Sequence, residues 1–179
     1  MSIKTIVITY KPTLLFITKF SGIYLLLVWL YQIFLSGYRH QTDPITIQTG
    51  KWVSTLFKFT GMQAETIPLE NEQGLKLLIN GEYIARIIEG CTAIGIIILF
   101  TAFIIGFGNS FKKSILFALA GSLLIYIFNL FRIVFLGYLM YVFPQWQDPA
   151  HRVVFPGMIY GFVIFLWIFF IKKINNENP

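Results

Sequence analysis

Residues 114–143 read SILFALAGSLLIYIFNLFRIVFLGYLMYVF, a run of 30 residues interrupted by a single charge, Arg132. A hydrocarbon core roughly 30 Å thick is crossed by about 20 apolar helical residues, so this run predicts a membrane-spanning helix with length to spare. The surplus must tilt, kink or project from the bilayer. Outward from it, three more runs qualify: 14–35, blemished by Lys19, then 87–107, then 153–171. The composition agrees, with 56% hydrophobic, 18% aromatic and 12% charged residues, where a soluble domain carries about 25% charge. The expected fold is an all-α integral membrane protein. It is a bundle of about four transmembrane helices in a single membrane domain over 1–179.

Lysine placement sets the expected topology. Lys4, Lys11 and Lys19 precede or open the first run, Lys112 and Lys113 separate the second from the third, and Lys172 and Lys173 follow the last. With alternating spans all of these fall on one side, which the positive-inside rule makes cytoplasmic. Both termini are then cytoplasmic, and segment 37–86 is an extracytoplasmic loop. Basic and acidic residues cancel on the outer half, so the net charge of +6 resides on the cytoplasmic side. The basic character is accounted for by the lipid bilayer, with no nucleic-acid partner. The first run is too long for a signal-peptide core, and Phe34, Leu35, Ser36, Gly37 offers no small-x-small cleavage pattern. It reads as a retained helix.

The outer loop is too short for a separate catalytic domain. Lys51 to Phe59 reads either as an amphipathic interfacial helix or as a loop dipping toward lipid. Leu75 to Ile79, Asn80-Gly81 and Tyr83 to Ile87 predict a β-hairpin, because Asn-Gly readily supplies the positive φ values of a type I′ turn. Its second strand leads directly toward Cys91, the only cysteine.

A lone cysteine excludes an intramolecular disulfide, and two histidines with one cysteine make no convincing zinc site. No metal or cofactor is expected. At about 1.5 Å per residue, Cys91 lies roughly 24 Å from the cytoplasmic end of its helix and Arg132 roughly 27 Å from the end of the next. His151 occupies the outer loop before the last helix, so all three meet near the outer interface. A thiolate attacks an acyl carbon, an imidazole moves the proton and a guanidinium stabilises the oxyanion. That trio points to cysteine acyl-transfer chemistry. Glu89 reads as a loop acid or a partner of Arg86, Arg132 or Arg152, and Asn129, at i−3 from Arg132, as a residue that orients it or bonds across helices. Taken singly, each has a structural alternative: an apolar filler for Cys91, a snorkelling side chain for Arg132, a solvated loop residue for His151.

The residues Glu89, Gly90, Cys91, Thr92, Ala93, then Asn129, Leu130, Phe131, Arg132, then His151 before the last helix resemble the exosortase and archaeosortase family of membrane-embedded cysteine transpeptidases, most closely the short form found in Bacteroidetes. The resemblance spans roughly the C-terminal half of the chain. It implies a protease and transpeptidase of the bacterial inner membrane that cleaves C-terminal sorting tails of exported proteins, with its site facing the periplasm. It assigns Cys91 as nucleophile, Arg132 as transition-state stabiliser and His151 as proton shuttle, with Glu89, Asn129 and Arg152 as supporting residues. The resulting thioester is resolved by an unidentified acceptor, and both hydrolysis and transfer are open to it. Many members carry glycine where this chain has Ala93, and in some archaeal relatives arginine replaces the histidine, which makes Arg152 an alternative holder of that role. The rival reading is a non-catalytic assembly or export component that binds a partner's transmembrane helix, for which Cys91 is dispensable and Arg132 is not.

Overall fold

The structure, a computed structural model, describes residues 3–70, 72–108, 110–146 and 149–177, with the side chains of 3–9, 146, 150, 151 and 174–177 outside that description. Helix α1 runs over Ile3–Ser36, α2 over Pro44–Lys58, and strands β1, β2 and β3 over Ala64–Pro68, Leu75–Ile79 and Glu82–Ile87. A 3-10 turn over Glu89–Thr92 leads into α3 (Ile94–Phe107), followed by α4 (Phe111–Val142), a π-helical turn (Ala150–Val154) and α5 (Phe155–Glu177).

Among the described residues, three segments are long and apolar enough to cross a membrane: Tyr10–Ser36, Phe111–Val142 and Arg152–Lys173. The fourth expected span, 87–107, needs correction. Its first residue closes β3, and Ala93 adopts the left-handed conformation (φ 61, ψ 10), so the helix starts only at Ile94. At 1.5 Å per residue α3 is about 21 Å long, short of a 30 Å hydrocarbon core. The stretch from Ile84 to Cys91, with Arg86 and Glu89 among Ile84, Ala85, Ile87 and Ile88, is too short for its periodicity to separate strand from helix, so the change is not marked in the sequence.

The hairpin forms as expected around Asn80 (φ 51) and Gly81 (φ 85), both in the positive-φ region that a type I′ turn requires. It belongs to a three-stranded antiparallel sheet of order β1-β2-β3, in which Pro68, Leu75 and Ile87 share one row. The interfacial segment is helical, and longer than expected. Asp43 starts α2: its carboxylate accepts from the Thr46 backbone N–H at 2.9 Å, and Pro44 stands at the first turn where its missing N–H costs nothing. Thr46, Thr49, Gly50, Val53 and Phe57 form the buried face of α2. Gly50 lies against Leu75 and Thr66, with no room for a Cβ.

Two apolar cores result. The first joins Val53 and Phe57 of α2, Leu75, Leu77, Ile79 and Ile87 of the sheet, and Leu130, Ile133 and Val134 of α4. The second joins Phe100 and Ile104 of α3, Ala118 and Ile125 of α4, and Ile159, Val163, Leu166 and Phe170 of α5. Helix α4 passes through both. Its 32 residues are about 48 Å long, and the surplus over the bilayer is occupied by packing on the sheet. Helix α1 packs along α3, through Phe16 on Phe103 and Phe107 and through Phe20 against Gly106, while the rest of its surface is left open.

Candidate active site

The 3-10 turn between β3 and α3 carries Cys91, which is half-buried. Non-helical backbone near membrane depth must find its hydrogen bonds inside the protein. Here it does. The Cys91 N–H donates to the Ile88 carbonyl at 2.8 Å, and the Cys91 carbonyl accepts from Asn129 Nδ2 at 2.7 Å. The Thr92 hydroxyl donates to the Glu89 carbonyl at 2.8 Å and accepts the Ile94 N–H at 3.4 Å. A left-handed alanine costs roughly 1–2 kcal/mol, so Ala93 is held at φ 61 by this turn and by the start of α3. The glycine that many of the resembling proteins carry at this position adopts that conformation without penalty.

Arg132 lies one turn beyond Asn129 on α4. Its residue is only 6% exposed, and its guanidinium carbon sits 4.4 Å from the ring centroid of Phe155. It stands one turn from the Asn129 amide that holds the Cys91 carbonyl. Burial on this scale answers the snorkelling alternative: the guanidinium points into the protein, over an aromatic face that favours a cation. Cys91, Asn129 and Arg132 are therefore brought together, from a turn and a helix 38 residues apart at the Asn129 hydrogen bond.

His151 has its backbone in the π-helical turn that ends where Phe155 begins, while its side chain lies outside the described residues. Arg152 is exposed. Glu89 does not take Arg86, which pairs instead with Glu72 at 2.9 Å. It faces Tyr31 of α1, whose buried hydroxyl lies near Glu89, Thr92 and Asp43. Phe155 and Tyr31 were not marked by sequence reasoning. Aromatics make up 18% of the chain, so these two carry no distinguishing signal.

A model of the transmembrane exosortase family matches residues 3–172. The chain belongs to this family. No curated protein and no solved structure matches it. The match extends the resemblance from the C-terminal half to nearly the whole chain, α1 and the sheet included. It makes the molecule a member of a family of membrane protein-processing enzymes.

Proposed function

We propose that this exosortase is a membrane-embedded cysteine protease and transpeptidase that cleaves C-terminal sorting tails of exported proteins. The observation that carries the reading is the burial of Arg132 one helical turn from Asn129, whose amide holds the carbonyl of the Cys91 turn. A buried cation beside a half-buried thiol is the arrangement that acyl transfer needs, because it sits where an oxyanion develops.

In this mechanism the Cys91 thiol passes its proton to His151 as its sulfur attacks the carbonyl carbon of the scissile peptide bond. The new C–S bond places negative charge on the carbonyl oxygen, which Arg132 stabilises. Collapse breaks the C–N bond, and the leaving nitrogen takes that proton from His151, with Arg152 as the alternative cationic neighbour. The thioester on Cys91 is then attacked by water or by a nucleophilic acceptor, whose proton passes by way of His151 to the departing sulfur, so that the thiol is restored. The lysine distribution supports a site facing the periplasm of a bacterial inner membrane with both termini cytoplasmic. A tail with an apolar helix and basic residues suits this topology, since its basic end would remain on the cytoplasmic side.

The test follows a tail-bearing exported protein in cells that carry wild type, Cys91→Ser, Arg132→Ala or His151→Ala. All three variants are expected to be made and inserted and to leave the tail uncut. Normal processing by Cys91→Ser would replace this reading with a non-catalytic assembly role.

A further inference from the structure

Among the described residues, two buried polar atoms beside Cys91 have no hydrogen-bond partner: Oδ1 of Asn129, a residue with 0% exposure, and Nε of Arg132, at 6%. Native structures rarely leave buried donors or acceptors unpaired, and the exceptions ask for an explanation. The orientation of the Asn129 amide is set by chemistry. Its other arm meets the Cys91 carbonyl at 2.7 Å, and only Nδ2 can donate there. Oδ1 is therefore the free arm, and it is an acceptor. Arg132 Nε is a donor, three residues along the same helix, which places both side chains on one face of α4.

A peptide group offers the complementary pair. Its N–H is a donor and its carbonyl oxygen an acceptor, and in the trans form they point to opposite edges. Side chains at i and i+3 stand about 5–6 Å apart at Cβ, enough to flank such a group from both sides. We propose that Asn129 and Arg132 together receive the peptide group that Cys91 attacks, Oδ1 accepting its N–H and the guanidinium donating to its carbonyl oxygen. This inference rests on the thiol chemistry proposed above and adds a substrate-binding role for Asn129. It also specifies the substrate class. An ester or a phosphate presents acceptors alone and leaves Oδ1 unpaired, so the site prefers an amide.

Because Cys91 is the only cysteine, alkylation of the purified full chain reports on it alone. Two probes of equal length are compared, N-hexyl iodoacetamide and hexyl iodoacetate. They share the reacting carbon and differ by one N–H. Glutathione supplies their intrinsic rate ratio. The amide-to-ester ratio at Cys91 is expected to exceed that of glutathione about tenfold, the factor that one hydrogen bond commonly supplies. In Asn129→Ala it is expected to return to the glutathione value. Loosening of the Cys91 turn in that variant alters both rates alike and leaves the ratio unmoved, so a merely structural asparagine would not produce this change. A wild-type ratio equal to that of glutathione overturns the proposal even if the variant fails to fold. So does a raised ratio that survives Asn129→Ala. The ratio is read whether or not a tail is cut, so a raised ratio without processing removes the protease reading and keeps amide recognition.

Discussion

Along α4, the N-terminal stretch packs Ala118 and Ile125 against α3 and α5, with Gly121 against the Phe100 ring. The C-terminal stretch packs Leu130, Ile133 and Val134 on the sheet and α2, with Gly137 against Phe57 and Leu77. The contacts with α3 and α5 are mostly rings, Phe117 on Phe170 at 4.7 Å and Phe128 on Phe162 at 4.3 Å between centroids, with one hydroxyl pair, Thr101 and Ser122 at 3.4 Å. The contacts with the sheet and α2 include hydroxyls and amides as well, Tyr126 with Thr49 at 3.1 Å and Asn80 donating to Tyr141 at 3.2 Å. Lipid tails are as apolar as leucine, so helices that associate within lipid rely on close packing. The sheet-side core buries apolar surface as a water-soluble domain does. Asn129 and Arg132 sit where the two regimes meet. Buried polar groups can be held there by a rigid helix packed on both sides, with the Cys91 turn as the third wall.

The largest expected effect sharpens the polar junction itself. Arg132→Ala should reduce tail cleavage by about 10²–10³-fold, the range for losing one oxyanion donor, while thermal unfolding in detergent still shows a cooperative transition. An undiminished rate would reduce Arg132 to packing. Next, Gly137→Val separates the two cores. A side chain there meets Phe57 at 2.9 Å and Leu77 at 3.2 Å, so the variant should lose about 1–3 kcal/mol through overpacking. Proteolysis of the sheet should quicken while the α3, α4 and α5 bundle stays resistant. Equal loss in both regions would show that they do not behave as separate cores.

A smaller effect is expected at the start of α2. Asp43→Ala removes the carboxylate that accepts from the Thr46 N–H and hydroxyl, costing about 1 kcal/mol in thermal stability. The smallest belongs to the turn. Ala93→Gly relieves roughly 1–2 kcal/mol of left-handed strain but restores about 0.4–1 kcal/mol of unfolded-chain freedom. A gain of several tenths of a kcal/mol with unchanged cleavage is the expected outcome, and a clear loss would place side-chain packing of Ala93 above its backbone.

Much of this arrangement is legible in the sequence because membrane crossing and hairpin turns leave strong local signals. The long runs at 14–35, 114–143 and 153–171 each match a helix, and Asn80-Gly81 announces its own turn. The helical rise counted to Cys91 assumed a helix that in fact starts only at Ile94, and what ties the cysteine to α4 is the hydrogen bond from Asn129 to its carbonyl at 2.7 Å. Strand β1 was not legible: Ala64, Glu65, Thr66, Ile67 and Pro68 show one large apolar residue, and the strand exists through its pairing with β2. The buried face of α2 is hidden in the same way, since Thr46, Thr49 and Gly50 do not read as a hydrophobic stripe. Within the site, the Phe155 ring over Arg132 and the unpaired Asn129 oxygen follow from tertiary placement, to which no spacing rule points.

The proposed chemistry requires Cys91 to become acylated. Incubating the purified chain in detergent with a tail-bearing protein and measuring the intact mass reads this step. An adduct confined to Cys91 is expected, labile to hydroxylamine as a thioester is, and absent from Cys91→Ala together with cleavage. Tail cleavage by Cys91→Ala at the wild-type rate would contradict it.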